Sequence, residues 1–322
     1  MKTEVEDLLA EVEESLLNHL WQQWAMLGSG GVALEERIGF VIDPEALLLA
    51  TLRFGTGDGR LVGETLSWLA SHGGMLSLQR AKNLQRKTEL GPAGAVREAA
   101  EWMEQAGFRN WKSLAGMVKG AEGKGQSLVS PGFQVREHGQ PIQFQRDENF
   151  LLRMRMIFGV NARPEVLTWL LCRGSGYPAQ IAEETGWLAK SVQTILGEFE
   201  RGGIVSSRGE GRKRLFSLNR QNGFLDGKLG RKMNWRMQGT RYLGWVHVVD
   251  GLRELASSKQ ASAESRSIRI RRKMGALQTA FGVEGGFTGF VGGENLSGEE
   301  MVHFFLKEVK RQLREGPGSG HR

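Results

Sequence analysis

The feature that most constrains this chain is a set of glycine stops between residues 163 and 218. Pro164 to Cys172 carries Val166, Leu167, Leu170 and Leu171 at helical spacing, with Pro164 expected at the first helical position, and Gly174-Ser175-Gly176 ends the run. Tyr177-Pro178 opens a second helix through Ile181-Ala182 that stops at Gly186, and Trp187-Leu188 fills the turn. Lys190 to Arg201 is a third helix, closed by Gly202-Gly203. Ile204-Val205-Ser206 and Arg214-Leu215-Phe216-Ser217-Leu218 then read as two short strands around the loop Ser207–Lys213. Three helices this short bury little alone, so their stripes have to face one another around one small core.

Each residue in this order has a physical reason. Ala182 is small where two helices cross closely. Gly186 permits a sharp turn with positive φ. Val192, Ile195, Leu196 and Phe199 form the docking face of the third helix. The ordered set Ile181-Ala182, Gly186, Val192, Leu196 and Gly203-Ile204-Val205 before a basic hairpin resembles the winged helix-turn-helix family of bacterial transcriptional regulators. The resemblance spans residues 163–218, and Trp187 in the turn and Gly197 inside the third helix depart from the pattern.

The resemblance implies a partner, double-stranded DNA, and an arrangement of residues toward it. The third helix would be the recognition helix, with Lys190, Ser191, Gln193 and Thr194 facing a major groove about 12 Å wide. Arg208, Arg212, Lys213 and Arg214 would bring cations to phosphates or a minor groove on a flexible wing. It also implies a homodimer on a two-fold site.

Charge agrees in sign. The formal net charge is +7, and from Arg201 to Arg236 ten Arg or Lys stand against Glu210 and Asp226, a local balance of +8. The first sixteen residues are the opposite, with one Lys against six acids. A second basic cluster runs from Arg266 to Lys273, readable as an extension of a DNA footprint or as a solvated helix face.

The chain of 322 residues is long enough for two or three domains, and the expected class is mainly α. The expected layout is a helical N-terminal domain over 1–120 (a sensor or partner-binding domain), a linker over 121–146, the winged helix-turn-helix over 147–220, a basic, largely helical region over 221–316 and a disordered tail over 317–322. Val5, Leu8, Leu9, Val12, Leu16, Leu20 and Trp24 predict an amphipathic helix over Glu4–Leu27. Ile38–Ile42 predicts a short strand. Asp43-Pro44 predicts a capped helix to Phe54, and two more helices follow, ending at Gly73-Gly74 and near Lys87. Helices are also expected over Ala95–Ala106, Trp111–Val118, Asn149–Phe158, Leu243–Leu255 and Ser297–Leu313. Phe133–Val135 and Ile142–Phe144 are expected to be extended, Ser257–Ser267 and Gly282–Gly293 to be loops.

The single cysteine, Cys172, excludes a disulfide framework and fits a packed small hydrophobe in a reducing cytoplasm. The N-terminus lacks the basic-then-apolar order of a secretory signal, and no apolar run is long enough to span a bilayer, so no membrane partner is expected. Gly55–Gly59 lacks a dinucleotide fingerprint, Gly120–Gly125 lacks the Walker spacing, and the six histidines are scattered, so no cofactor, metal or catalytic residue is assigned. Two other classes stand beside the regulator: an antitoxin-like or defence-system subunit that grips a partner protein, and an enzyme with a regulatory winged helix. A small-molecule effector is compatible with the first reading.

Overall fold

The computed structural model describes residues 2–34, 38–116, 128, 133–135, 140–219, 234–257, 262–282, 290–293 and 295–315. It is mainly helical, with one small antiparallel sheet. Two compact units result: Met1–Trp21 with Gln238–Arg322, and Gln22–Met237. The division therefore falls elsewhere than the expected boundaries at 120, 146 and 220, and the expected tail lies outside the described residues.

In the first unit, α1 (Lys2–Met26, of which the residues to Trp21 belong here) buries Val5, Leu8, Val12, Leu16 and Leu20. The same unit holds three C-terminal helices over Gln238–Ser257, Ala263–Gly282 and Gly298–Glu315. Their cores include Trp245, Phe281 and Phe305, with Trp245 meeting Phe281 edge-on at 5.4 Å. The acidic N-terminus has local partners: Lys310 pairs with Glu4 at 2.8 Å and Arg253 with Glu13 at 2.7 Å. Of the expected loop Ser257–Ser267, Ser257 and 263–267 are helical, Ser262 is not, and 258–261 lie outside the described residues. Ile270, Met274, Leu277 and Phe281 are buried at three- and four-residue steps, so the basic segment carries an ordinary amphipathic stripe. Lys273 pairs with Glu254 at 3.0 Å, and Arg271 donates to the Leu296 carbonyl.

The second unit begins with α2 (Pro44–Phe54), α3 (Gly59–His72), α4 (Leu78–Thr88), α5 (Ala93–Gln105) and α6 (Lys112–Ala115). Asp43 caps α2 through the Ala46 amide at 3.0 Å, and Ser77 caps α4 through the Arg80 amide at 3.2 Å. Ile38–Ile42 forms no strand. Its amides bond outside any sheet: Val41 donates to the Asn234 carbonyl and Ile42 to that of Glu148. Phe133–Val135 and Ile142–Phe144 likewise join no sheet; the Phe133 ring packs on Trp102, with centroids 5.6 Å apart. Much of the expected linker and the stretch 220–233 lie outside the described residues.

α7 (Phe150–Phe158), α8 (Ala162–Arg173), β1 (Ser175–Gly176), α9 (Pro178–Thr185), α10 (Ala189–Arg201), β2 (Val205–Glu210) and β3 (Lys213–Leu218) follow in that order. The sheet order is β1-β3-β2, all antiparallel. α8 starts two residues before Pro164, because the Asn161 side chain accepts from the Arg163 amide at 2.9 Å and caps the helix there. One core joins α7 to α10 with the sheet and also takes in Val41 and Trp235. β1 must be bare at Gly176: a Cβ there would lie 2.2 Å from the Trp169 ring. Cys172 packs against this core, and burial pushes its thiol up to about 12, so it acts as a hydrophobe. Among the described residues no helix is long and apolar enough to cross a membrane.

Candidate nucleic-acid interface

The turn between α9 and α10 is made as the sequence requires. Gly186 has φ +75°, and its amide closes the end of α9 on the Ala182 carbonyl. Val192, Ile195, Leu196 and Phe199 are buried, each contributing about 1.5–3 kcal/mol by burial. Docking that face leaves Lys190, Gln193 and Thr194 exposed and Ser191 partly exposed, so the four expected residues share the outward face of the first turns of α10. The Thr194 hydroxyl donates back to the Lys190 carbonyl at 3.0 Å, which leaves its oxygen as an acceptor. Gly197 lies farther along, and a Cβ there would meet nothing within 4 Å.

The hairpin differs from the expected flexible loop. The strands run on to Glu210 and Lys213, leaving only Gly211-Arg212 as the turn, with Gly211 at φ +61°. The pairing of Arg208 with Leu215 and of Gly209 with Arg214 holds the basic residues on strands. Two of the four expected cations are tied to carboxylates: Arg208 to Glu210 at 2.7 Å and Arg214 to Glu200 at 3.0 Å. Lys213 lies over the Tyr177 ring at 5.5 Å, and Arg212 makes no ion pair among the described residues. The Tyr177 hydroxyl donates to Glu210, fastening the hairpin end to the start of α9. This hydrogen bond holds the Glu210 carboxyl below its usual range. Of the +8 stretch, one cation is buried and four lie outside the described residues. Arg236 is buried with its guanidinium over Phe40 at 4.4 Å, and Arg220, Lys228, Arg231 and Lys232 lie outside the described residues.

Sequence reasoning missed the contribution of α4. Its Arg80, Asn83 and Lys87, on one helical face, reach the carbonyls that end α9: Arg80 Nε donates to Thr185 at 2.6 Å, Asn83 Nδ2 to Gly186 at 3.2 Å and Lys87 Nζ to Glu183 at 3.5 Å. Arg80 is in turn held by Asp43 at 2.5 Å and Glu45 at 2.6 Å. Glu45 also receives Arg155 of α7 at 2.7 Å, and Arg155 reaches Glu165 of α8 at 2.5 Å. These five buried groups form an ionic seam across α2, α4, α7 and α8.

Three carboxyl groups face two guanidiniums in the seam. Glu165 Oε1 takes both Arg155 bonds, while its Oε2 has no partner among the described residues. Burial accordingly raises the Glu165 carboxyl above its usual range despite Arg155 and Arg80. Burial acts the same way on Asp43, but there the charge and hydrogen bonds of Arg80 prevail and lower it. Comparison with models of protein families, with curated proteins and with solved structures gave no match to this chain.

Proposed function

We propose that α8 to α10 and the β2–β3 hairpin act as a winged helix-turn-helix that binds duplex DNA, and that the chain is a transcriptional regulator. The observation that carries this is the first two turns of α10. They project Lys190, Ser191, Gln193 and Thr194 outward from a helix fixed on its other side by four buried apolar residues. Lys and Gln at such positions suit guanine and adenine edges, and Arg212 and Lys213 on the hairpin suit phosphates. The test is a gel shift at low salt with genomic fragments that include the DNA upstream of the chain's own coding sequence. Retarded fragments support the proposal, and none retarded ends it. A homodimer would place two copies of α10 about 34 Å apart on a two-fold site.

The alternative, a subunit that grips a partner protein, draws on the exposed apolar Met156 and Ile157 at the end of α7, which are 61% and 64% exposed. A stoichiometric partner on purification, together with no DNA affinity, would favour it.

A further inference from the structure

We infer that α4 supplies a second part of the DNA-binding surface, one that grips the phosphate backbone beside the reading face of α10. This inference rests on the DNA-binding reading above. A cavity of about 390 Å³ lies between α4 and the α9–α10 turn. Asn83, Arg86 and Lys87 form one wall, and Trp187, Leu188 and Ala189 are among the residues forming the other. Arg86 and Lys87 are exposed, as is Lys190 one residue beyond Ala189.

Three properties suit this cavity to a phosphodiester. First, the cations are held in register with α10, because the same helix that bears them is bonded through Arg80 and Asn83 to Thr185 and Gly186. Second, the start of α10 lies in its wall: Leu188, the N-cap residue before Ala189, makes no side-chain cap hydrogen bond, leaving first-turn amides at the positive end of a 13-residue helix. Third, Leu188, Ala182 and the Trp187 ring give apolar surface for the sugars that flank each phosphate.

Glu183 also lines the cavity, 3.8 Å from Lys87 Nζ, and both side chains are about half exposed or more. An open pair of this kind holds weakly in water, so a phosphate can replace it. α4 lies outside the resemblance at residues 163–218, and it would meet the backbone of DNA, so it adds affinity without reading sequence.

The experiment is a fluorescence anisotropy titration over a range of salt, with a short labelled duplex of random sequence and a duplex enriched from a random library on the wild-type chain. Arg86→Gln with Lys87→Gln is expected to weaken both duplexes by the same factor and to lower the salt slope by about two. Arg86→Lys with Lys87→Arg is expected to restore both. Glu183→Gln, which removes the competing carboxylate, is expected to tighten binding to the random duplex. Wild-type affinity and slope in the Arg86→Gln, Lys87→Gln variant would overturn the α4 inference while leaving the DNA reading standing. A wild-type chain that binds neither duplex would overturn both.

Discussion

The packing of α10 and the seam across α2, α4, α7 and α8 both fix helices against one another, by opposite chemistry. α10 is held by Val192, Ile195, Leu196 and Phe199, apolar groups with no directional demand. The seam is held by Asp43, Glu45, Arg80, Arg155 and Glu165, each taken out of water and each dependent on the others. An apolar face loses stability in proportion to the atoms removed and can repack. A buried ionic cluster tolerates little, because removing one member strands the rest. The same seam feeds Arg80 into the end of α9, so it lies just behind the turn that aims α10.

This contrast can be broken at several points, and the largest effect is expected in the seam. Glu45→Ala removes a carboxylate bonded to both guanidiniums and is expected to cost about 3–5 kcal/mol in urea unfolding. A loss near that of a surface pair would show that the seam is not structural. On the apolar side, Leu196→Met keeps volume and should cost less than about 1.5 kcal/mol, and a larger loss would mean that α10 packs as rigidly as the seam. Gly197→Ala should stabilise by about 0.8–1 kcal/mol, since the added methyl meets nothing and helix propensity improves. Destabilisation by this change would place an unseen neighbour at that position.

The smallest effect concerns pH. A carboxyl raised in the folded state binds more protons folded than unfolded, so wild-type stability should fall as pH rises from the usual carboxylate range through the raised Glu165 value. Asp43 is lowered, so its contribution is present above its unfolded value and is lost as pH falls toward the folded one. Glu165→Gln should abolish the first dependence and keep the second. An unchanged slope on the high-pH side would assign the proton elsewhere.

Sequence legibility follows the same divide. The α9–α10 turn could be read because Gly186 and the 192, 195, 196 and 199 spacing are local signals. α12 (Ala263–Gly282, after α11 at Gln238–Ser257) carries an equally regular stripe at Ile270, Met274, Leu277 and Phe281, hidden by the arginines between them. The seam leaves no such trace: Arg155 meets Glu45 across 110 positions and Arg80 meets Thr185 across 105. The placement of Arg86 and Lys87 beside α10 is legible only once those long-range bonds exist. The hairpin was half legible. Its cations were visible, but their pairing with Glu200 and Glu210 depends on strand register.

The central claim is that the outward face of α10 reads base edges. Its most direct test compares wild type with Lys190→Ala, Gln193→Ala in titrations of the library-enriched duplex and a random duplex at one salt concentration. Affinity for the enriched duplex should drop by about 1–3 kcal/mol for each base edge no longer bonded, far more than any change on the random duplex, so that discrimination collapses. Discrimination that survives at its wild-type value would contradict the assignment of α10 as the reading helix.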